Sequence, residues 1–166
     1  MKSRLLHVAL FLLVALGGCG ETADPKTISE ISHSILNVKQ DDERGKKVVT
    51  ISIKQGSVFS GGNTTKDVLE GLMAHFQATQ FDEVKIIMVE TLMDKYGKEF
   101  PEPILELTYS REELAKVNFE NLVGWHILNL SQPKRIGNLS VHVLQQECAE
   151  EGNAKYAAEF CEKALR

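Results

Sequence analysis

The sequence has few cysteines, no excess of basic residues and no long apolar run, and each scarcity excludes a class of protein. Its 19 lysines and arginines are outnumbered by 23 aspartates and glutamates, so it lacks the excess positive charge that is typical of nucleic-acid-binding proteins. Its three cysteines include no Cys-x-x-Cys pair, which leaves a thioredoxin-like redox role without support. Its apolar segments fall short of the roughly 20 residues that cross a bilayer as a helix.

Motifs that carry catalysis are also missing. No His-Glu-x-x-His, Gly-x-Ser-x-Gly or phosphate-binding glycine-rich motif occurs in the chain. The histidines beyond the amino terminus have no partner at metal-ligand spacing; they are His33, His75, His126 and His142. We therefore predict no catalytic residue, no metal and no cofactor, and a protein that is not an enzyme.

The composition is that of one folded domain. Hydrophobic residues make up 43% of the 166 residues and charged residues 25%, which are values of a globular chain. A chain of this length is long enough for one domain and short for two.

The amino terminus has the layout of a signal peptide. Lys2 and Arg4 form a short basic region, and residues 5–16 are apolar except for His7. A helix over that run would rise about 18 Å, too little for a hydrocarbon core of roughly 30 Å. The segment therefore matches the apolar region of a cleaved signal peptide.

Leu16, Gly17, Gly18 and Cys19 follow this run, and the tetrad resembles the lipobox of bacterial lipoproteins. The resemblance implies cleavage before Cys19, a diacylglycerol on its thiol and a further acyl chain, such as palmitate, on its amine. Two or more chains hold a protein stably on a bilayer. We therefore expect a signal peptide over residues 1–18, a lipidated tether over 19–26 and one domain over 27–166.

The same resemblance implies a location. The protein would be lipid-anchored in the cell membrane and face the periplasm or the exterior. In that family an aspartate after the cysteine often marks retention in the inner membrane, and Gly20 stands there instead. The outer membrane is therefore favoured if the source is Gram-negative.

Residue patterns in the body predict an α+β fold. Strands are predicted over residues 34–40, 47–54, 83–92 and 104–109, because apolar and polar residues alternate there. A helix over 64–80 begins at Thr64 as N-cap, a short helix follows Ser110, and another helix covers 154–165. The β-β-α-β-β-α order predicts a small, mostly antiparallel sheet with one long helix packed on it and a helical carboxyl end.

A loop rich in glycine and serine is predicted between the second strand and the long helix. Residues 55–63 include Val58 and Phe59, two apolar side chains in polar surroundings. A mobile loop that offers a phenylalanine could contact a partner protein. The alternative is that Phe59 folds back and closes the core.

The two remaining cysteines, Cys148 and Cys161, are predicted to form a disulfide, because thiols pair in an oxidising compartment. The sequence is compatible with two arrangements of the segments around these cysteines. If residues 139–150 and 154–165 form a simple helical hairpin, the two Cα atoms lie beyond the roughly 7 Å that a disulfide tolerates. A strand over 139–145 makes the bond easier, and its alternating Leu139, Val141 and Val143 favour that arrangement.

These observations favour a membrane-anchored envelope lipoprotein whose domain binds another protein, in an accessory, assembly, inhibitory or exclusion role. The expected partners are the lipid bilayer, through Cys19, and a protein of unknown identity. The alternative is a lipoprotein that binds a small ligand or hydrolyses one at the membrane surface, and a pocket with convergent histidines or carboxylates would favour it.

Overall fold

The computed structural model describes residues 24–76 and 81–166. The strands are β1 (Ile35–Glu43), β2 (Lys46–Gln55), β3 (Glu83–Met93), β4 (Glu99–Ser110) and β5 (Gln132–Arg135). The α-helices are α1 (Val58–His75), α2 (Arg111–Leu114), α3 (Gly124–Leu130), α4 (Ser140–Cys148), α5 (Glu151–Tyr156) and α6 (Ala158–Leu165). Short 3-10 turns lie at Ile28–Glu30 and Phe119–Asn121.

The strands form one sheet in the order β1-β2-β3-β4-β5. The β1–β2, β3–β4 and β4–β5 pairs are antiparallel. The β2–β3 pair is parallel, because α1 carries the chain back along the sheet before β3 begins. The predicted α+β class, with a mostly antiparallel sheet and a helical carboxyl end, is confirmed.

Alternation along the central strands decides which side chains form the core. In β2, buried Val49, Ile51 and Ile53 alternate with half-buried Thr50 and Ser52. In β3 the buried residues are Val84, Ile86, Met88 and Glu90. The apolar members of both rows join one core with residues of α1, α3, α4 and α6. One side of the sheet therefore carries the helical layer.

The predicted loop over residues 55–63 and the N-cap at Thr64 are wrong. Helix α1 begins at Val58 and is capped by Ser57, whose Oγ accepts a hydrogen bond from the Ser60 amide at 3.1 Å. The Ser57 amide in turn donates to the Ser60 hydroxyl at 3.0 Å. This reciprocal pair places the N-cap seven residues before Thr64.

The amino end of β4 also extends further than predicted. The strand begins at Glu99 and includes Pro101 and Pro103, so that β3 and β4 form a long hairpin whose turn lies between Met93 and Glu99. At its other end, Ser110 Oγ accepts a hydrogen bond from the Glu113 amide at 3.1 Å, which confirms the predicted cap of the short helix.

The predicted strand over 139–145 is wrong, since this segment belongs to α4. The predicted helix over 154–165 is interrupted at Ala157, which separates α5 from α6. Cys161 therefore lies in the first turn of a new helix and approaches the end of α4. The Cα atoms of Cys148 and Cys161 are 5.8 Å apart, and the predicted proximity of the two cysteines is confirmed.

Among residues 24–76 and 81–166, no helix has the length and apolarity needed to span a bilayer. The predicted lipidation site and its recognition residues, Leu16, Gly17, Gly18 and Cys19, lie outside the residues that the structure describes.

Candidate functional site

A cleft of about 390 Å³ opens between the start of α1, the end of β3 and helix α4. Three of its lining residues are glutamates, namely Glu90, Glu147 and Glu150, and three are apolar, namely Phe59, Leu92 and Val143. The remaining lining residues are Ser57, Gln146 and Asn153, so the lining holds no basic side chain. The cleft is therefore an acidic site with apolar walls.

Glu90 occupies a core position of the sheet. It follows Val84, Ile86 and Met88 in the inward row of β3, and its side chain is only 7% exposed. Its Oε1 is buried and accepts no hydrogen bond. A buried carboxylate without a donor costs folding free energy, so the position is unfavourable for stability alone.

Gln55 is the neighbour of Glu90 on the adjacent strand. The two residues are paired in the parallel β2–β3 register, and Gln55 is 8% exposed. Its amide packs against Gly61 of α1, where a Cβ would overlap it. The amide is close enough to lower the pKa of Glu90 somewhat, yet neither of its polar atoms completes a hydrogen bond of normal geometry. Gln55 therefore compensates the Glu90 carboxylate only in part.

Glu147 of α4 caps the first turn of α1 from a distant part of the chain. Its Oε1 accepts a hydrogen bond from the Val58 amide at 3.0 Å, and its Oε2 accepts one from the Phe59 amide at 3.3 Å. A carboxylate at this position also benefits from the positive end of the helix dipole. The amides of the first turn are thus satisfied by the protein itself, and the helix start offers no open anion site.

Burial raises the pKa of both carboxyl groups. For Glu90 burial is the largest cause, the nearby Glu147 charge adds to it, and the pKa rises from 4.5 to about 7. For Glu147 burial again dominates and raises the pKa, while the bonds from Val58 and Phe59 oppose the shift. The cleft therefore contains a glutamate that is about half ionised at neutral pH.

The sequence-predicted contact residues are buried rather than exposed on a loop, and of the two only Phe59 lines the cleft. Val58 is fully buried, and Phe59 is 8% exposed and packs edge-to-face on Phe160 at 5.8 Å between ring centroids. The alternative reading, in which Phe59 closes the core, is the correct one. Cys148 lies next to Glu147, so its pairing with Cys161 holds the end of α4 that carries the capping carboxylate.

Sequence reasoning missed Glu90, Gln55 and Glu147. The sequence marks the first two, because each continues a series of alternating apolar residues. Glu90 follows Val84, Ile86 and Met88. Gln55 follows Val49, Ile51 and Ile53. A charged residue in register with a core row is a candidate functional residue. No local signal marks Glu147, since its partners lie 89 and 88 residues away in sequence.

Comparison of the chain with models of protein families, with curated protein sequences and with solved structures gives no match.

Replacing Glu90 with glutamine is expected to stabilise the protein at alkaline pH. A carboxyl group whose pKa is raised on folding contributes stability below its unfolded pKa near 4.5 and loses it as the pH rises through about 7. Glu90→Gln should thus raise the free energy of unfolding at pH 8 by up to about 3 kcal/mol and leave it unchanged near pH 4.

Chemical denaturation at both pH values measures this difference. Glu150→Gln is the matched control, because Glu150 lines the same cleft but is exposed. An equal gain in the two variants at pH 8 would show that the burial of Glu90 is not the cause.

Proposed function

We propose that this protein is a membrane-anchored envelope lipoprotein whose domain binds another protein and catalyses no reaction. The observation that carries the proposal is the acidic cleft, in which a buried carboxylate is compensated only in part, at a cost in stability. Groups of this kind are concentrated at functional sites rather than in structural cores.

The position of the cleft supports a partner other than the anchoring bilayer. Asp24, where the described chain begins, lies 3.7 Å from His75 at the end of α1. The cleft lies at the beginning of the same helix, beside Phe59. Sixteen residues of helix separate Phe59 from His75, a distance of about 24 Å. A tether that enters at Asp24 therefore leaves the cleft at the far end of the domain.

Exposed apolar side chains extend this end of the domain. Met93 is 66% exposed and Tyr96 is 76% exposed, and both lie at the tip of the β3–β4 hairpin. Leu92 of the cleft wall is paired across the hairpin with Phe100, which is also exposed. Aromatic and methionine side chains are enriched where proteins bind one another, so this border favours a protein partner.

The chemistry of the cleft argues against hydrolysis. General acid–base catalysis by paired carboxylates needs two groups that are free to exchange protons. Both oxygens of Glu147 accept backbone hydrogen bonds, and Ser57 Oγ serves the cap of α1. Glu150, the third glutamate of the cleft, is exposed and accepts a hydrogen bond from the Asn153 amide at 3.2 Å.

Binding of a small ligand is the second candidate function. The volume of about 390 Å³ lies within the range of small-molecule pockets. Such a ligand would be held in the same cleft, so the two candidates differ in whether a macromolecular partner is present at its rim.

Two measurements on the full-length protein in its native cells test the proposal. Labelled palmitate should enter the wild-type protein, and Cys19→Ser should abolish both the labelling and membrane retention. A photoreactive residue in place of Gln146, at the rim of the cleft, should cross-link to one protein of defined mass. The same residue in place of Glu112, which is exposed in α2 near the start of β3, should not.

The two measurements test the lipid anchor and protein binding at the cleft independently. Undiminished labelling of the Cys19→Ser protein would refute the lipid anchor. Cross-links that are absent at both positions, or equal at both, would refute protein binding at the cleft and leave a small ligand as its occupant.

A further inference from the structure

The Glu90 carboxylate forms no salt bridge within the described part of the chain. Its side chain is more than nine-tenths buried, lines the cleft, and has an oxygen without a hydrogen-bond donor. Gln55, also more than nine-tenths buried, has an amide oxygen that likewise lacks a hydrogen bond. Buried polar groups are nearly always hydrogen-bonded in a purely structural core, so two unpaired acceptor oxygens on adjacent strands mark a candidate binding site.

The charges around Glu90 select a cation. Glu147 faces it from α4 and Glu150 from the segment before α5, while Glu102 lies opposite it on β4. No lysine, arginine or histidine lines the cleft. These carboxylates would therefore repel an anion, whereas a bound cation would reduce the repulsion among them.

The form of the cleft selects an organic cation. No cluster of three metal-ligating side chains occurs within the described part of the chain. Glu147 is committed to the backbone of α1, and the amide of Asn153 donates to Glu150 at 3.2 Å. The walls are Phe59, Leu92 and Val143. Lysine and arginine combine an apolar stem with a charged head and match such a site.

We propose that the cleft binds a lysine or arginine side chain of the partner protein, with the charged head on the Glu90 carboxylate and the stem against Phe59, Leu92 and Val143. This inference rests on the proposed function, because it names the chemistry by which the partner is recognised.

The ionisation of Glu90 controls the affinity. A cation binds the ionised carboxylate, and apparent affinity scales with the fraction in the binding-competent form. Because the pKa of Glu90 is about 7, the ionised fraction rises about tenfold between pH 6 and pH 8. Binding should therefore strengthen by about that factor over this range and then level off.

The test uses the full-length protein in detergent micelles, observed by NMR during titration with the peptide acetyl-Leu-Arg-Leu-amide. The matched ligand contains citrulline, a neutral analogue of arginine, at the central position. Glu90→Gln is the matched protein variant, and Glu112→Gln, at an exposed position of α2 outside the cleft, is the control for loss of a carboxylate. The amide signals of Val58, Phe59 and Leu92 report on occupancy of the cleft.

The arginine peptide should shift these signals saturably at pH 8 and bind about tenfold more weakly at pH 6. Affinity should fall at least tenfold with the citrulline peptide or with Glu90→Gln, and stay within about twofold with Glu112→Gln. Equal binding of the arginine and citrulline peptides, or the absence of saturable binding, would overturn the inference.

Cross-linking in cells separates this inference from the proposed function. A cross-link at Gln146 that persists unchanged in the Glu90→Gln protein would keep the protein partner and overturn the role of Glu90. Peptide binding that depends on Glu90, without any cross-link at Gln146, would keep the cation site and overturn the protein partner.

Discussion

Replacing Gly124 with alanine should lower the free energy of unfolding by about 3 kcal/mol or more. Helices α1 and α3 approach each other most closely where Gly62 faces Gly124. A Cβ on Gly124 would lie 2.6 Å from the backbone nitrogen of Asn63 and 2.8 Å from the carbonyl carbon of Gly62. Backbone atoms cannot move aside as the end of a side chain can, so the two helices would have to separate.

The separation would also weaken a hydrogen bond. The Gly124 amide donates to Asn63 Oδ1 at 3.1 Å, which ties the start of α3 to α1. Gly152→Ala is the matched control, because Gly152 lies in α5 with no atom within 4 Å of a Cβ position. Alanine there should be neutral or stabilise by about 0.5–1 kcal/mol. Equal losses in the two variants, measured by chemical denaturation, would contradict the close approach.

Removing the Cys148–Cys161 bond should cost about 3 kcal/mol, because the bond restricts the unfolded chain over a separation of 13 residues. The loss should appear in the Cys148→Ala, Cys161→Ala double variant and in the wild-type protein after reduction. Reductant should have no further effect on the double variant. Thermal or chemical denaturation with and without reductant measures all three.

The same variant should loosen the acidic cleft. Glu147 precedes Cys148, so freeing the end of α4 should weaken the cap on α1 and speed hydrogen exchange at the Val58 and Phe59 amides. The Lys85 amide in the centre of the sheet should be protected as before. Two free thiols in the denatured, unreduced wild-type protein, besides an acylated Cys19, would show that the bond does not form.

Local patterns in the sequence were enough for much of the sheet. The alternation of Val49, Ile51 and Ile53, and of Val84, Ile86 and Met88, predicts β2 and β3 because period-two patterns are read from neighbouring residues. The same logic failed at residues 139–145, where Leu139, Val141 and Val143 alternate but form the start of a helix. Of these three, Leu139 and Val141 are exposed, so their alternation reflects no buried face.

The start of α1 shows why a local sequence pattern can predict a loop where a helix forms. Gly61 and Gly62 have low helix propensity, and with Ser57 and Ser60 they predict a loop. In the folded protein both glycines are needed where Gln55 and Gly124 approach the helix, and Glu147 satisfies its first amides. Those compensations come from residues far away in the chain, so no local window contains them.

The sequence by itself determined the α+β class, the order of the first four strands along the chain and the cap at Ser110, because period-two alternation and capping depend on residues a few positions apart. The lipid anchor at Cys19 remains a prediction of the sequence alone. Only the tertiary structure decided that Glu90 and Gln55 lie side by side, that Glu147 caps α1, and that a break at Ala157 brings Cys161 to Cys148. Each depends on which distant segments pack together, and that choice is made by burial of the whole core rather than by any one stretch of sequence.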